Sequence, residues 1–203
     1  MLVLLRRAWF ASDDVIAGKW PRMSTIGREV HGKTLELVGL GGIARETATR
    51  ARTLGMNVLA FDRLLPKDHA AWQLVRHASF DELITRCDIL SLHIPLTAST
   101  KRMIGPSQIA AMKKGSLIIN AARGGIVDER ALVDALRSDH LGGAALDVFE
   151  NEPLDAAAGA RFADTPNLLL TPHIAGVTEE SNIRVSEVTA RTVLSHMTRS
   201  GGR

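Results

Sequence analysis

A chain of 203 residues is long enough for one domain with a real core and short for two. Its 45% hydrophobic and 23% charged residues are ordinary globular values, and its +3 formal charge comes from scattered arginines instead of a basic stripe. With 4% aromatics and no Tyr, the chain lacks the features of a nucleic-acid binder, and no apolar stretch is long enough to cross a bilayer.

In chain order, residues 1–17 read as a single helix with Leu2, Leu5, Trp9 and Ile16 on one side and Gly18 as its stop. The charges of Arg6 and Arg7 follow the apolar start instead of preceding it, which is the wrong order for a signal peptide. Residues 19–32 read as a loop. Strands are expected at 34–40, 57–62, 88–94, 116–120, 144–148 and 167–171, with a weaker one near 73–76. Helices are expected at 43–54, 80–86, 106–112, 128–138 and 178–197. The lone cysteine, Cys87, precedes the apolar pair Ile89-Leu90 and reads as a buried small hydrophobe. It permits no intrachain disulfide, which fits a reducing compartment, here taken as the cytoplasm. Short apolar strands alternating with helices predict an α/β fold. It is a Rossmann-type doubly wound parallel sheet with helices on both faces, and ligands sit at the carboxyl ends of its strands.

Gly39-Leu40-Gly41-Gly42-Ile43-Ala44 follows the first strand and opens a helix. Gly39 permits a tight turn, Gly41 lets backbone approach a pyrophosphate, and Ala44 is small enough for helix–strand packing. The helix start offers free N–H groups and a positive dipole end to phosphates. Alone, this pattern also fits an ordinary strand-to-helix turn. Asp62 strengthens it: it ends the second strand about twenty residues on, where a carboxylate accepts ribose hydroxyls. The same charge repels a 2′-phosphate, so NAD is favoured over NADP, although Arg63 and Lys67 stand nearby.

Three further residues close later strands: Arg123 in Asn120-Ala121-Ala122-Arg123-Gly124-Gly125, Glu152 before Pro153, and His173 in Thr171-Pro172-His173. Reducing a 2-oxo acid needs hydride at the carbonyl carbon and a proton at its oxygen. Arg supplies a planar fork for the substrate carboxylate. His is the natural proton donor near neutral pH, and a carboxylate on its other ring nitrogen fixes the tautomer. Each residue alone also fits a structural role. Three strand ends delivering Arg, Glu and His make coincidence a poor explanation.

These segments, with His93-Ile94-Pro95-Leu96-Thr97 and Asp147 to Pro153, resemble the signature blocks of the D-isomer-specific 2-hydroxyacid dehydrogenases, in order over nearly the whole chain. The resemblance implies that Arg123 binds the substrate carboxylate and carbonyl, Glu152 orients His173, and His173 is the acid–base. It places Asp147 near the nicotinamide carboxamide. Ile43, His93, Pro95, Thr100, Ala121 and Gly176 join Gly39, Gly41, Gly42, Asp62, Arg123 and His173 in the NAD site. For His93 a structural role at a strand end is preferred to a catalytic one. Glu152 also argues against a formate dehydrogenase, whose counterpart resembles a Gln. No metal is implied. The substrate is a small D-2-hydroxy or 2-oxo acid, with phosphoglycerate, glyoxylate or hydroxypyruvate, and lactate left open. Residues 1–18 are expected to be an interdomain or dimerisation helix of a homodimer, 19–176 the NAD-binding domain, and 177–203 a C-terminal helix and tail. By this resemblance the chain begins inside the helix that follows the first part of the substrate domain. It corresponds to a nearly isolated coenzyme domain, so NAD binding with little turnover by the chain alone is expected. The alternative is a non-catalytic NAD-binding or redox-sensing module, similar to the C-terminal-binding corepressors.

Overall fold

The computed structural model describes residues 1–7 and 11–200. Seven strands form one parallel sheet: β1 (Thr34–Val38), β2 (Asn57–Phe61), β3 (Arg76–His77), β4 (Ile89–Leu92), β5 (Leu117–Asn120), β6 (Gly143–Leu146) and β7 (Leu168–Leu170). Their order is β3-β2-β1-β4-β5-β6-β7, so the winding direction reverses between β1 and β4. This is the doubly wound Rossmann arrangement expected from the alternating pattern, and its ligand crevice lies at the carboxyl ends beside the reversal.

The pleat assigns β1 to two layers. Leu35 and Leu37 pack with Ala44, Ala48 and Ala51 of α3 (Gly42–Thr53). These three alanines recur at helical spacing and are fully buried. With no side chain beyond Cβ they let α3 lie close on the sheet, and a larger residue at any of them costs about 1–3 kcal/mol through overpacking. Val38 faces the other layer, where α4 (Phe80–Arg86), α5 (Pro106–Ala111) and α6 (Glu129–Arg137) cover Leu90, Leu92, Ile118 and Leu146. Ser79 caps α4 by accepting the Glu82 N–H at 3.2 Å, and Asp128 caps α6 by accepting that of Ala131 at 3.0 Å. Cys87 is buried, as its apolar neighbours suggested.

Three expectations need correction. The helix expected at 1–17 is not continuous. It is replaced by α1 (Leu2–Arg6) and α2 (Ser12–Ile16), because Arg7 turns left-handed (φ 51°) and ends α1. Trp9 lies outside the described residues. The apolar stripe is also broken: Leu5 is 2% exposed and Ile16 is 84% exposed. Leu4 and Leu5 pack instead into the layer beneath α3, so Leu5 offers nothing to an outside partner. Third, the weak strand near 73–76 lies further on. Residues Ala70–Gln73 form a 3-10 turn, and β3 is the exposed pair Arg76–His77, held by pairing with Leu59 and Ala60. A short helix, α7 (Ala156–Gly159), precedes β7, and α8 (Glu179–Ser200) is the last element among the described residues.

Candidate active site

The glycine loop leaves β1 at the reversal point. Gly39 has φ +93°, and a Cβ there would stand 2.6 Å from the His93 carbonyl oxygen, so only Gly lets the loop pass this close to β4. Its N–H donates to the Phe61 carbonyl at 2.7 Å. No side chain caps α3, whose N-cap is Gly41, and the space where a Cβ on Gly41 or Gly42 would stand is open. Among the described residues no side chain pairs with the N–H groups of the first turn of α3, which stand beside open space, and this fits a pyrophosphate. Ile43, 77% exposed, flanks that space.

Asp62 stands one residue past β2 and fastens this corner. Its Oδ2 accepts the Leu40 N–H at 2.8 Å, and its Oδ1 accepts those of Leu64 and Leu65 at 2.9 and 3.0 Å. A carboxylate has about four acceptor positions, so capacity for a hydroxyl remains. Across the reversal, the His93 N–H donates to the Val38 carbonyl at 2.8 Å and its Nε2 pairs with Ser91 Oγ at 3.0 Å. Burial pushes His93 down to about 4, so its ring is neutral. Beyond it, Thr100 Oγ1 donates to the Pro95 carbonyl at 2.7 Å and accepts the Thr97 N–H at 2.8 Å, tying 95–100 into one turn.

The other half of the site is built on β5, β6 and β7. Asn120, buried at the end of β5, clasps the next residues: its Nδ2 donates to the Arg123 carbonyl at 2.9 Å and its Oδ1 accepts the Ala122 N–H at 3.1 Å. Gly124 then presses against the Phe149 carbonyl, where any Cβ would overlap it. This contact ties the Arg123 loop to the segment carrying Glu152. Arg123 itself is exposed, and its guanidinium donates to the Ala122 carbonyl; among the described residues it forms no salt bridge.

His173 and Glu152 meet directly, His173 Nδ1 to Glu152 Oε2 at 2.8 Å. The other carboxylate oxygen accepts the Phe149 N–H at 2.8 Å. The bond to His173, then that to Phe149, holds the Glu152 carboxyl below its ordinary range. The carboxylate is therefore an acceptor, and Nδ1 carries the proton in the pair. Among the described residues Nε2 of His173 has no partner. His173 adopts a left-handed backbone (φ 56°), an unusual conformation for a residue other than Gly or Asn. Asp147 imposes it: Oδ1 accepts the Thr171 hydroxyl at 2.6 Å and the Ile174 N–H at 2.8 Å, while Oδ2 accepts the Ala175 N–H at 2.8 Å. Burial raises the Asp147 carboxyl, but those three bonds outweigh it, and the net shift is downward. A cleft lined by Phe149, Pro153, Leu154, Leu170 and Pro172 opens beside Glu152 and His173.

The strand ends thus bring Arg123, Glu152 and His173 to neighbouring positions on one sheet edge, with Asp62 and the glycine loop across the reversal. Ala121 and Gly176 are exposed at that edge. Sequence reading assigned no role to Asn120 or Thr171. Each is a small polar residue closing an apolar strand, which is the one signal that marked them.

A glycine loop opening an uncapped helix at the winding reversal, facing an Arg, a Glu and a His, defines a dinucleotide-binding domain with acid–base groups at its edge. The chain belongs to the family described as D-isomer specific 2-hydroxyacid dehydrogenase, NAD binding domain, whose profile matches residues 1–175, and NAD is its cofactor. It is 51% identical over 194 residues to (S)-sulfolactate dehydrogenase of Chromohalobacter salexigens, covering 95% of this chain and 62% of that protein. It is 41% identical over 191 residues to D-3-phosphoglycerate dehydrogenase of Bacillus subtilis, covering 94% of this chain and 36% of that one. Among solved structures it superimposes on D-lactate dehydrogenase with NAD+ from Lactobacillus jensenii with a TM-score of 0.84 at 33% identity, covering 94% of this chain and 60% of that one. A glyoxylate reductase from Paecilomyes thermophila gives a TM-score of 0.85 at 38% identity, over 96% and 58% of the two chains. The chain therefore spans no more than about three fifths of the length of these relatives. Among the described residues no helix is long and apolar enough to cross a membrane.

Proposed function

We propose that the chain carries the cofactor and acid–base machinery of an NAD-dependent oxidoreductase that interconverts a small D-2-hydroxy acid and its 2-oxo acid. The observation that carries this reading is the 2.8 Å bond between His173 and Glu152, at the same sheet edge as an uncapped glycine loop and an Arg that forms no salt bridge among the described residues.

Bound NAD supplies the hydride acceptor, and NADH the hydride donor. The chain's residues do the rest. The Gly39, Gly41 and Gly42 loop with Ile43 holds the pyrophosphate, and Asp62 holds the ribose hydroxyls. His93, Pro95, Thr100, Ala121 and Gly176 line the remainder of the dinucleotide, with Asp147 at the nicotinamide end. Arg123 pairs with the substrate carboxylate in two parallel bonds and places positive charge by the carbonyl. His173 keeps a proton on Nδ1 through Glu152, so Nε2 is the nitrogen that gives a proton to the carbonyl oxygen in reduction and takes it back in oxidation.

The names of the curated relatives favour a short acid with a second anionic group, such as the keto forms of sulfolactate or 3-phosphoglycerate, ahead of plain pyruvate. A homodimer and a cytoplasmic location complete the reading. The dimer is supported by the exposed Ile183, Val188 and Leu194 of α8, and the location by the single buried cysteine. The test is NADH oxidation by the purified chain with sulfopyruvate, hydroxypyruvate, glyoxylate and pyruvate, alongside titration of NADH. Saturable NADH binding is expected. Failure to bind NADH overturns the reading; turnover that appears when the substrate-binding portion of a relative is supplied as a second chain supports it, whereas binding without turnover even then supports a non-catalytic NAD module.

A further inference from the structure

At the opposite end of the sheet, where the strands begin, a second cavity opens over β1 and β2. Thr34 and Asn57 border it at the first residues of those strands, and Arg76, Arg86 and Lys113 ring its mouth. Its floor is Glu36. This glutamate sits in the middle of β1, between Leu59 and Leu90 on the adjacent strands, and is fully buried. Among the described residues neither carboxyl oxygen has a nitrogen or oxygen hydrogen-bond partner, and the neighbouring Cys87 thiol is only a weak donor. A central strand of a parallel sheet ordinarily carries an aliphatic residue at such a position, and an unpaired buried carboxyl is destabilising. A group that costs stability and faces a cavity points to a ligand.

The charges around it indicate which kind. Arg76 and Arg86 share one oxygen of Glu82, at 2.6 and 2.9 Å. Lys113 stands 3.5 Å from Asp88, whose other oxygen accepts the Thr34 N–H at 2.8 Å. Three cations therefore face two carboxylates at the mouth, which leaves a net positive charge. Burial pushes Glu36 up to about 8; the Cys87 thiol and Lys113 lower it, and Asp88 and Glu82 raise it. At neutral pH the floor is a neutral acid with an O–H to donate. A cationic ligand would meet like charges, and an apolar one would leave the O–H unpaired. An oxoanion satisfies both.

We propose that this cavity binds a small molecule bearing a carboxylate or phosphate group, held by Arg76, Arg86 and Lys113 at the mouth and by the Glu36 O–H at the floor. The site is separate from the glycine loop, which lies at the other end of β1.

The experiment titrates inorganic phosphate, and in parallel malonate, into the whole chain and into the chain saturated with NADH, read by amide NMR shifts. Saturable shifts are expected at residues 34–36, 57–59, 76 and 86–88, and they persist with NADH present. A stronger response to malonate assigns a carboxylate ligand, and a stronger response to phosphate a phosphomonoester. Lys113→Ala should weaken binding by about tenfold. Raising the pH from about 6 to about 9, followed by calorimetry because amide protons exchange too fast there, should also weaken it, because an ionised Glu36 repels the anion. Glu36→Gln should bind at both pH values, since its amide still donates, and Glu36→Leu should fold but not bind. The proposal fails if neither anion gives saturable shifts, if shifts are confined to 39–44, or if Glu36→Leu binds like the parent. Should Glu36→Leu not fold, loss of the pH dependence in Glu36→Gln decides instead.

Discussion

The Glu152 carboxylate joins His173 Nδ1 and the Phe149 N–H, each at 2.8 Å, so the group that orients the imidazole is itself fixed to the backbone of the neighbouring segment. The ring is then held in one tautomer, with Nδ1 protonated and Nε2 left for substrate. With the substrate-binding portion of a relative supplied as a second chain, and on the best of the four 2-oxo acids, His173→Ala should lower kcat by about 10²–10⁴-fold, the range for losing a positioned acid–base group. Glu152→Ala should lower it less, because the imidazole survives without its restraint. Steady-state kinetics of both variants provide the check, and equal losses would count against a purely orienting Glu152.

Asp147 acts one step further back. Removing its carboxylate strands the Thr171 hydroxyl and the Ile174 and Ala175 N–H groups at once. Asp147→Ala should therefore cost about 2–4 kcal/mol, measured by chemical denaturation. The sign with pH follows from its lowered carboxyl. The stabilisation is fully present above the ordinary aspartate value of 3.8 and is lost as pH falls through the lower folded value. Parent and variant should thus converge in stability only in strong acid.

Much of this was legible in the chain, for identifiable reasons. Strands such as Ile89–Leu92 and Leu117–Asn120 are apolar on both faces because both faces are covered. Arg123, Glu152 and His173 stand out because polar residues with distinctive neighbours close such runs. Periodicity, by contrast, extended the first helix through Arg7, since it does not register a left-handed residue. The edge strand Arg76–His77 is exposed and carries no apolar signal; only pairing with β2 defines it. α7 is too short for a helical period. Glu36 passes unnoticed in Thr34–Val38 because one charged residue in an apolar run reads as an outward-facing position, and only the covering layer reveals it as buried.

Asp62 has two tasks, and its replacement should show both. Asp62→Ala removes the charge expected to exclude a 2′-phosphate, so the preference for NADH over NADPH should shrink by about tenfold or more. It also frees the Leu40, Leu64 and Leu65 N–H groups, so NADH itself should bind more weakly. Trp72, whose Nε1 donates to the Pro66 carbonyl at 2.8 Å, lies close to this corner and can report both titrations by fluorescence. An unchanged preference in the variant would remove Asp62 from the ribose site.

Glu36 predicts the opposite pH trend to Asp147. Its carboxyl is raised by burial from 4.5 to about 8, so the folded chain holds a proton that the unfolded chain has already released. The unfolded state therefore binds fewer protons in this window, and stability falls as pH rises. The loss begins near 4.5 and is complete above about 8, where folding must bury the charge or take up a proton. Glu36→Gln, which cannot ionise, should flatten this slope. Glu36→Leu should flatten it and also raise the melting temperature at neutral pH, because it replaces an unpaired polar group with an aliphatic one of similar volume. Thermal melts of the three proteins between about pH 5 and about pH 9 test this. A parent whose stability is level across that range would mean that Glu36 finds a partner in solution.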